Sequence, residues 1–343
     1  MAIKVYAVAF IVSLTISWLL VPHVRNWAIR FGAMDKPDAR KVHKNPIPRM
    51  GGLAIYFGFI CAVLFSTRLS TEMLGILIGA TLIVIVGIAD DILQLPAKIK
   101  LVGQILAALI PVMFGVQIFW ISNPLGGYLY LEWLAIPFTI LWIVSLTNVV
   151  NLIDGLDGLA AGVSIIAGIT IFIVALKQGF YPAAVMVAAL VGATIGFIKY
   201  NFNPAIIFMG DTGSMLLGYI LATISIYGAV KTATTLALIV PAIALGLPIM
   251  DTAFAIARRY SNGRPIFQPD KGHFHHRLLA MGFSQKQAVL LMYAISALLG
   301  ISALVLMEAP PIVSAIVLIV IVVAVFVVAK KIGILKDSDA KFN

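Results

Sequence analysis

The chain has 343 residues, of which 62% are hydrophobic and 11% charged, and its mean hydropathy is +1.07. A soluble protein of this length does not need so much apolar surface and could not stay in solution with so few charges, so the composition excludes that class. The single cysteine, Cys61, excludes disulfide bonds within the chain and zinc sites of the CxxC type. The formal net charge of +10 is typical of a surface beside anionic lipid.

Apolar stretches long enough to cross a bilayer account for most of the sequence. A spanning helix needs about 20 apolar residues, and the sequence predicts about eleven of them. The fold class is therefore an all-α polytopic membrane protein, with one integral membrane domain over residues 1–343. The predicted spans are residues 4–22, 52–67, 72–89, 99–120, 133–150, 159–176, 181–198, 213–229, 233–255, 287–306 and 310–329.

The distribution of charged residues predicts how the helices cross the membrane. With the N-terminus outside, eleven crossings place the C-terminus and a tail at 331–343 in the cytosol, and 20 of the 24 Lys and Arg residues then lie on the cytosolic side. All eleven aspartates lie on that side, whereas the three glutamates lie outside. Short carboxylates are common ligands of Mg²⁺, so this asymmetry predicts a site at the cytosolic face.

The first two cytosolic segments carry basic residues and an aspartate pair. Residues 35–53 are basic and rich in proline, and Gly51 and Gly52 open the second span, where backbone N–H groups and the helix dipole would favour an anion. A basic patch that only fixes the topology is the alternative. Asp90 and Asp91 end the third span, and adjacent carboxylates repel unless a cation or a proton intervenes, which suggests Mg²⁺. A solvated pair at a helix end is the alternative.

The third cytosolic segment, NVVNLIDGLDGL at 148–159, is the most informative. Asn148, Asn151, Asp154 and Asp157 recur every three residues, so they lie along one side of the inner end of the fifth span if that helix continues. Such groups cost several kcal/mol in an apolar helix when they are unpaired. This pattern predicts a binding site, and capping of neighbouring helices is the alternative.

Two further segments complete the candidate site. In FMGDTGSMLLG at 208–218, Asp211 precedes the eighth span, where it could be a metal ligand or only a helix cap, and Phe208 would suit an aromatic platform for a base. The longest cytosolic loop, 256–286, contains HFHHRL among several cationic residues. Cationic neighbours favour an anion such as diphosphate over a zinc ion, although zinc and the absence of any role are alternatives.

Five motifs occur together and in order: PRMGG, the Asp90–Asp91 pair, NxxNxxDGxDG, FMGDTGS and HFHHRL. In this order the chain resembles the polyprenyl-phosphate N-acetylhexosamine-1-phosphate transferases, the WecA/TagO group related to MraY, over nearly its whole length. The resemblance implies that Asp211 is the principal Mg²⁺ ligand, with Mn²⁺ as an alternative ion, and that Asp90 and Asp91 lie close to the metal. Asp90, in preference to Asp91, would deprotonate the lipid phosphate. The implied substrate-binding residues are Lys44, Asn148, Asn151, Asp154, Asp157, Phe208, His273, His275, His276 and Arg277.

The resemblance also implies an activity. Members of this family transfer a sugar-1-phosphate from a UDP-sugar to undecaprenyl phosphate and release UMP, at the first membrane step of cell-envelope glycan synthesis such as that of teichoic acid or lipopolysaccharide. The expected location is the bacterial cytoplasmic membrane, with a cytosolic active site. The expected partners are a UDP-N-acetylhexosamine, polyprenyl phosphate and membrane lipid, without nucleic acid, and a homodimer is compatible with the sequence.

An MraY-like transfer and a transporter are the alternatives to this activity. The interrupted histidines of HFHHRL resemble the WecA/TagO branch, which favours transfer of GlcNAc-1-phosphate over an MraY-like transfer of phospho-MurNAc-pentapeptide. A transporter, from another class of protein, would require charged groups near the middle of the membrane, whereas these lie at the inner ends of the predicted helices.

Overall fold

The computed structural model describes residues 2–37, 45–122, 128–232, 236–263 and 272–309, with scattered positions between 313 and 327. These residues form a bundle of α-helices joined mostly by short loops. The helices are α1 (Ala2–Arg30), α2 (Gly52–Ser66), α3 (Thr71–Leu93), α4 (Ala97–Met113), α5 (Ala135–Ile153), α6 (Leu159–Lys177), α7 (Tyr181–Asn201), α8 (Gly210–Thr232), α9 (Leu236–Ala244), α10 (Gly246–Ser261), α11 (Phe274–Ala280) and α12 (Gln285–Glu308).

The predicted all-α membrane fold is confirmed. By length and composition, six helices among the described residues could cross a membrane: α1, α3, α5 with the 3-10 turn Glu132–Leu134 before it, α6, α7 and α12. The pair α9–α10, bent by 74°, could form a seventh. The first eight predicted spans each coincide with one helix, α1 to α8, but α2 has only 15 residues and α4 only 17, fewer than the about 20 that a full crossing needs. Most of the predicted eleventh span, and the tail at 331–343, lie outside the described residues.

Consecutive long helices run in alternate directions, which gathers their polar ends on one side. The last turns of α3, α5 and α7 meet the first turns of α4, α6 and α8 at one end of the bundle, called the site end below. At the opposite end Ser70, before α3, hydrogen-bonds Tyr227 near the end of α8, and Lys177 of α6 pairs with Glu308 of α12.

Small residues allow the helix backbones to approach closely within the bundle. A Cβ atom on Gly192 of α7 would lie 2.4 Å from the carbonyl oxygen of Phe10 in α1, and one on Gly196 would lie 2.4 Å from that of Leu14. Close packing of this kind stabilises helix pairs in a membrane, where lipid tails are as apolar as leucine and no hydrophobic force drives helices together. These two glycines therefore serve the packing of α7 against α1.

Gly51 and Gly52 pack against protein backbone, which corrects the anion site predicted for them. Their N–H groups donate to the carbonyl oxygens of Phe208 and Met209, at 2.9 Å each. A Cβ atom on Gly52 would lie 2.1 Å from the backbone of Gly213. The start of α2 therefore docks on the segment that leads into α8, and these donors are already used.

Two short antiparallel strand pairs were not predicted from the sequence. One pairs β1 (Met34–Asp35) with β2 (Ile47–Pro48), and the other pairs β3 (Trp120–Ser122) with β4 (Tyr128–Tyr130). The first pair folds the predicted basic segment back on itself, so that Asp35 and Arg49 come within ion-pair distance.

The predicted ninth span is broken. α9 contains Pro241 and ends at Ala244, and α10 starts at Gly246 at an angle of 74° to it. Proline lacks the N–H group that would continue the helical hydrogen bonds and commonly causes such kinks. The new direction lets α10 bury Asp251 and Arg258 within the protein.

Candidate active site

Asp90, Lys100 and Asp211 form a charged cluster at the site end. Lys100, on the first turn of α4, places its Nζ atom 3.0 Å from Oδ2 of Asp90, and it also hydrogen-bonds Oδ2 of Asp211 at the start of α8. The other oxygen of Asp90 accepts the backbone N–H of Leu95 at 2.9 Å. Two carboxylates from different helices therefore converge on one cation.

Asp91 points the other way and is occupied by α8. Its side chain is fully buried, and its two oxygens accept the backbone N–H groups of Asp211 and Thr212, at 3.0 and 3.1 Å, and the hydroxyl of Thr212, at 2.6 Å. Arg49 donates two hydrogen bonds to the backbone carbonyl oxygen of Asp91. Because the first N–H groups of a helix lack partners within it, Asp91 caps α8 from a neighbouring helix and thereby places Asp211.

A pocket of about 300 Å³ opens beside this cluster. Its lining comes from β1, the ends of α5 and α7, the loop before α6, the segments before α2 and α8, and the starts of α8, α11 and α12. The described residues that line it are Asp35, Arg49, Asn151, Asp154, Gly155, Leu156, Asp157, Asn201, Phe208, Gly210, Asp211, His276 and Gln285.

Asp154 is the most unusual charge in this pocket. Its burial raises its pKa well above the ordinary range, and the neighbouring carboxylates of Asp211, Asp91 and Asp157 raise it further. A carboxylate among other carboxylates is stable in its charged form only when a cation joins it. The pocket is therefore suited to a ligand that donates hydrogen bonds to these carboxylates or is accompanied by a cation.

Asn151 and Asp157 are partly held by the protein itself. Asn151 donates from Nδ2 to the hydroxyl of Ser214, at 2.9 Å. Asp157 accepts the side-chain amide of Asn203 and the backbone N–H of Ala205, both at 3.0 Å. Both residues also line the pocket, so each makes a contact within the protein and remains within reach of a ligand.

Asn148 has a different environment, although it shares the three-residue spacing. It exchanges hydrogen bonds with Gln104 of α4, with the shorter one, from Nδ2 of Asn148 to Oε1 of Gln104, at 2.6 Å. It is not among the described residues that line the pocket. The amide pair joins α4 to α5.

The histidine cluster is divided between the pocket and the interior. Of the cluster and Arg277, only His276 is among the described residues that line the pocket. His273 contacts Asp251 of α10, and His275 packs against Gly155, where a Cβ atom would lie 2.5 Å from its Nε2 atom. Burial, with His276 close by, lowers the pKa of His275 to about 3, so this imidazole is neutral at physiological pH. The expected cationic surface of three histidines is therefore smaller, because His275 is neutral and only His276 of the three lines the pocket.

Comparison with known proteins shows the family of the chain. Residues 73–229 match the family described as glycosyl transferase family 4. Over 337 residues the chain is 44% identical to the probable undecaprenyl-phosphate N-acetylglucosaminyl 1-phosphate transferase of Bacillus subtilis, across 98% of this chain and 94% of that protein. The chain belongs to the polyprenyl-phosphate N-acetylhexosamine-1-phosphate transferases. The resemblance stated from the motifs is thereby confirmed.

Two other relatives mark the breadth of the transferase family. The decaprenyl-phosphate N-acetylglucosaminephosphotransferase of Mycolicibacterium smegmatis is 41% identical over 310 residues, which cover 81% of this chain and 76% of that protein. The phospho-N-acetylmuramoyl-pentapeptide-transferase of Bacillus cytotoxicus is 31% identical over 323 residues, which cover 86% of this chain and 94% of that protein.

Sequence reasoning missed several charged or polar residues of this candidate site. Lys100 stands at the start of the predicted fourth span, where a lysine is ordinary and no local motif marks it, although it follows Asp90 by only ten residues. Asp35 and Arg49 belong to the basic segment 35–53, in which no local pattern distinguishes them from the other charged residues. Asn201 and Gln285 lie at helix ends with no local motif. The predicted residue Lys44 lies outside the described residues.

The cluster suits a Mg²⁺ ion only in part. Among the described residues, no group of three or more His, Cys, Asp or Glu side chains is arranged as a set of metal ligands. Mg²⁺ in phosphoryl-transfer enzymes commonly needs only one or two carboxylates and takes its other ligands from substrate phosphates and water. Asp90 and Asp211 meet this need because both already face one cation. Asp91 does not, because both its oxygens are used by α8.

Proposed function

We propose that this enzyme transfers GlcNAc-1-phosphate from UDP-GlcNAc to undecaprenyl phosphate, or to a similar polyprenyl phosphate, and releases UMP. The observation that carries the proposal is the convergence of Asp90, Asp211 and Lys100 beside a pocket of about 300 Å³ in a chain of this family. Transfer between two phosphates requires two negatively charged groups to be brought together although they repel. The cluster offers a cation, Lys100, and two carboxylates that could hold a second cation.

The choice of sugar rests on the pattern of relatives. Identity is 44% and 41% with proteins named for N-acetylglucosamine transfer, against 31% with one named for N-acetylmuramoyl-pentapeptide transfer. The interrupted histidines of HFHHRL favour the same branch. Transfer of phospho-MurNAc-pentapeptide is the second candidate.

The pocket residues have distinct parts in the proposed reaction. Phe208 offers its ring to the uracil, while Asn151, Asp154 and Asp157 bind the rest of the nucleotide. Arg49 and His276 both line the pocket and would contact phosphate oxygens, since charge-assisted hydrogen bonds to phosphate are among the strongest that proteins make. Asp211 lies between this pocket and Asp90, at the point where the donor and acceptor phosphates would meet.

The proposed chemistry is a one-step displacement. An oxygen of the lipid phosphate forms a bond to the phosphorus that carries the sugar, and the bond from that phosphorus to the bridging oxygen breaks, so that UMP leaves. A phosphate monoester has its second pKa near 6, so the attacking group is largely ionised at neutral pH, and Asp90 accepts any remaining proton. A covalent intermediate on an aspartate is the alternative route.

Lys100 and the carboxylates control charge at the reacting groups. Asp211 and Asp90 would hold Mg²⁺, which would supply positive charge to the diphosphate and to the departing UMP. Lys100 releases these carboxylates as it turns towards a phosphate oxygen. Asp91 contributes by holding the first turn of α8, and thus Asp211, in place.

We also propose that the N-terminus is outside, that the chain crosses the cytoplasmic membrane eleven times as one domain, and that the site end faces the cytosol. This orientation is supported by the 20 of 24 Lys and Arg residues that it places inside. A cysteine replacing the exposed Ser261, in a variant lacking Cys61, should resist an impermeant thiol reagent in intact cells and react after lysis. Labelling in intact cells would contradict this orientation.

The activity is tested with purified protein, undecaprenyl phosphate and a panel of UDP-sugars, scored by release of UMP. We expect UDP-GlcNAc to give the highest kcat/KM, and no release without the lipid. A preference for UDP-MurNAc-pentapeptide would select the second candidate. Absence of UMP release with every sugar would contradict the proposed function.

A further inference from the structure

Asp251 is a buried carboxylate that lies outside the pocket and has no part in the proposed reaction. It is 5% exposed and projects from α10 towards the start of α11. Its Oδ2 atom lies 2.9 Å from Nδ1 of His273, and its Oδ1 atom accepts the backbone N–H of Phe274 at 2.8 Å. Both oxygens therefore contact the two residues at which α11 begins.

α11 depends on an external partner of this kind. It has only seven residues, and His273, which precedes it, makes no capping hydrogen bond from its side chain. Short helices are marginally stable alone, and their first N–H groups lack acceptors within the helix. The charge of Asp251 at this end is also favourable to the helix dipole. Asp251 thus fixes both the start and the direction of α11.

The position of α11 determines whether the side chain of His276 lines the pocket. His276, in the first turn of α11, lines the pocket, and the ring centroid of His275 lies 4.2 Å from that of His276. His275 in turn rests on Gly155, within the loop that carries Asp154. A shift of α11 would therefore withdraw His276 from the pocket.

We propose that Asp251 is a positioning residue of the transferase, which acts through α11 to present His276 to the diphosphate of the bound UDP-sugar. The proposal rests on the proposed function and deepens it. Asp251 touches no substrate. Its effect should appear in the use of the UDP-sugar and should disappear when His276 is absent.

A double-mutant cycle with UDP-GlcNAc and undecaprenyl phosphate tests this. Asp251→Ala should raise the KM for UDP-GlcNAc about tenfold and leave the KM for undecaprenyl phosphate within about twofold. Asp251→Asn keeps one acceptor oxygen for the N–H of Phe274, so it should raise the KM for UDP-GlcNAc only about threefold. In a His276→Ala background, either substitution should add less than about twofold, because the residue through which it acts is gone.

A second readout does not depend on activity. Hydrogen–deuterium exchange should be faster in the peptide that contains residues 274–280 of the Asp251→Asn protein than in the unsubstituted protein, and unchanged in α12. Thr252→Ala, one position along α10, is the matched control and should alter neither kinetics nor exchange. If Asp251→Ala does not yield folded protein, the cycle and the exchange are read from Asp251→Asn.

Additive effects of Asp251 and His276 substitutions in active enzyme would overturn the positioning role and leave the proposed function intact. Unchanged exchange in α11 of Asp251→Asn would also overturn it. Absence of UMP release in the unsubstituted protein would instead count against the proposed function, and the exchange result would still decide whether Asp251 holds α11.

Discussion

Two corners of the site end pair a carboxylate with a group that can carry positive charge, and they differ in what remains open. In the carboxylate corner, Lys100 and Asp211 are partly exposed, and Asp211 lines the pocket, whereas Asp90, which faces Lys100, is buried. In the histidine corner, Asp251 and His273 are both buried. The first corner is therefore suited to exchange its cation for a ligand. The second corner holds the backbone of α11, and only His276 of that helix lines the pocket.

The first prediction concerns the carboxylate corner and has the largest expected effect. Asp211→Asn should abolish turnover while the protein still folds, because Asp211 is the carboxylate shared by the pocket and the cation cluster. Activity of the unsubstituted enzyme should require Mg²⁺ or Mn²⁺ and be lost in EDTA, as measured by UMP release. Full activity of Asp211→Asn in excess EDTA would refute a metal site in this corner.

Lys100 gives the next largest effect. Lys100→Gln removes the cation between two carboxylates, which should then repel, and we expect kcat to fall about a hundredfold, equivalent to about 2.7 kcal/mol. Lys98→Gln, an exposed lysine two positions earlier, is the matched control and should stay within about twofold. Equal effects of the two substitutions, in the same assay, would show that only the general basic charge of this loop matters.

The histidine corner should respond more weakly and only towards one substrate. His276→Ala should lower kcat/KM for UDP-GlcNAc about ten- to a hundredfold, the value of one or two charge-assisted hydrogen bonds. The Mg²⁺ concentration for half-maximal rate should change by less than about twofold, because His276 is not a proposed ligand. His23→Ala, at an exposed histidine of α1, is the control. A large change in metal requirement, or stoichiometric zinc lost with His276, would assign a metal to this corner instead.

The last prediction concerns the stability of the histidine corner, which should depend on pH without changing the chemistry of the site. Burial and His276 lower the pKa of His275 to about 3 in the folded protein, against about 6.5 in the unfolded chain. Below pH 6.5 the unfolded chain therefore binds a proton that the folded protein does not, and stability falls as the pH falls towards 3. Between pH 7.5 and 5 the loss should be about 2 kcal/mol.

Thermal unfolding in detergent would measure this dependence, with His275→Asn as the variant that lacks the titrating group. The unsubstituted protein should lose more of its unfolding temperature between pH 7.5 and 5 than His275→Asn does. Parallel curves for the two proteins would show that His275 is accessible to protons in the folded state.

Much of this protein could be predicted from the sequence because its strongest signals are local. Long apolar runs determined an all-helical membrane fold, since backbone groups in lipid must be satisfied within each segment. The motifs that end or begin those runs determined the family, and Asn151, Asp154, Asp157, Phe208, Asp211 and His276 do line one pocket.

Only the tertiary structure decided which neighbours in a motif share a task. Asp90 and Asp91 are adjacent in sequence, yet one faces Lys100 and the other caps α8, because successive residues of a helix point in different directions. Asn148 follows the same spacing as Asn151 but meets Gln104 of another helix. The break between α9 and α10 and the burial of His275 depend likewise on contacts between distant segments. Such contacts set the direction, burial and partner of each side chain. They join residues far apart in the sequence, so the sequence around any one residue does not predict them.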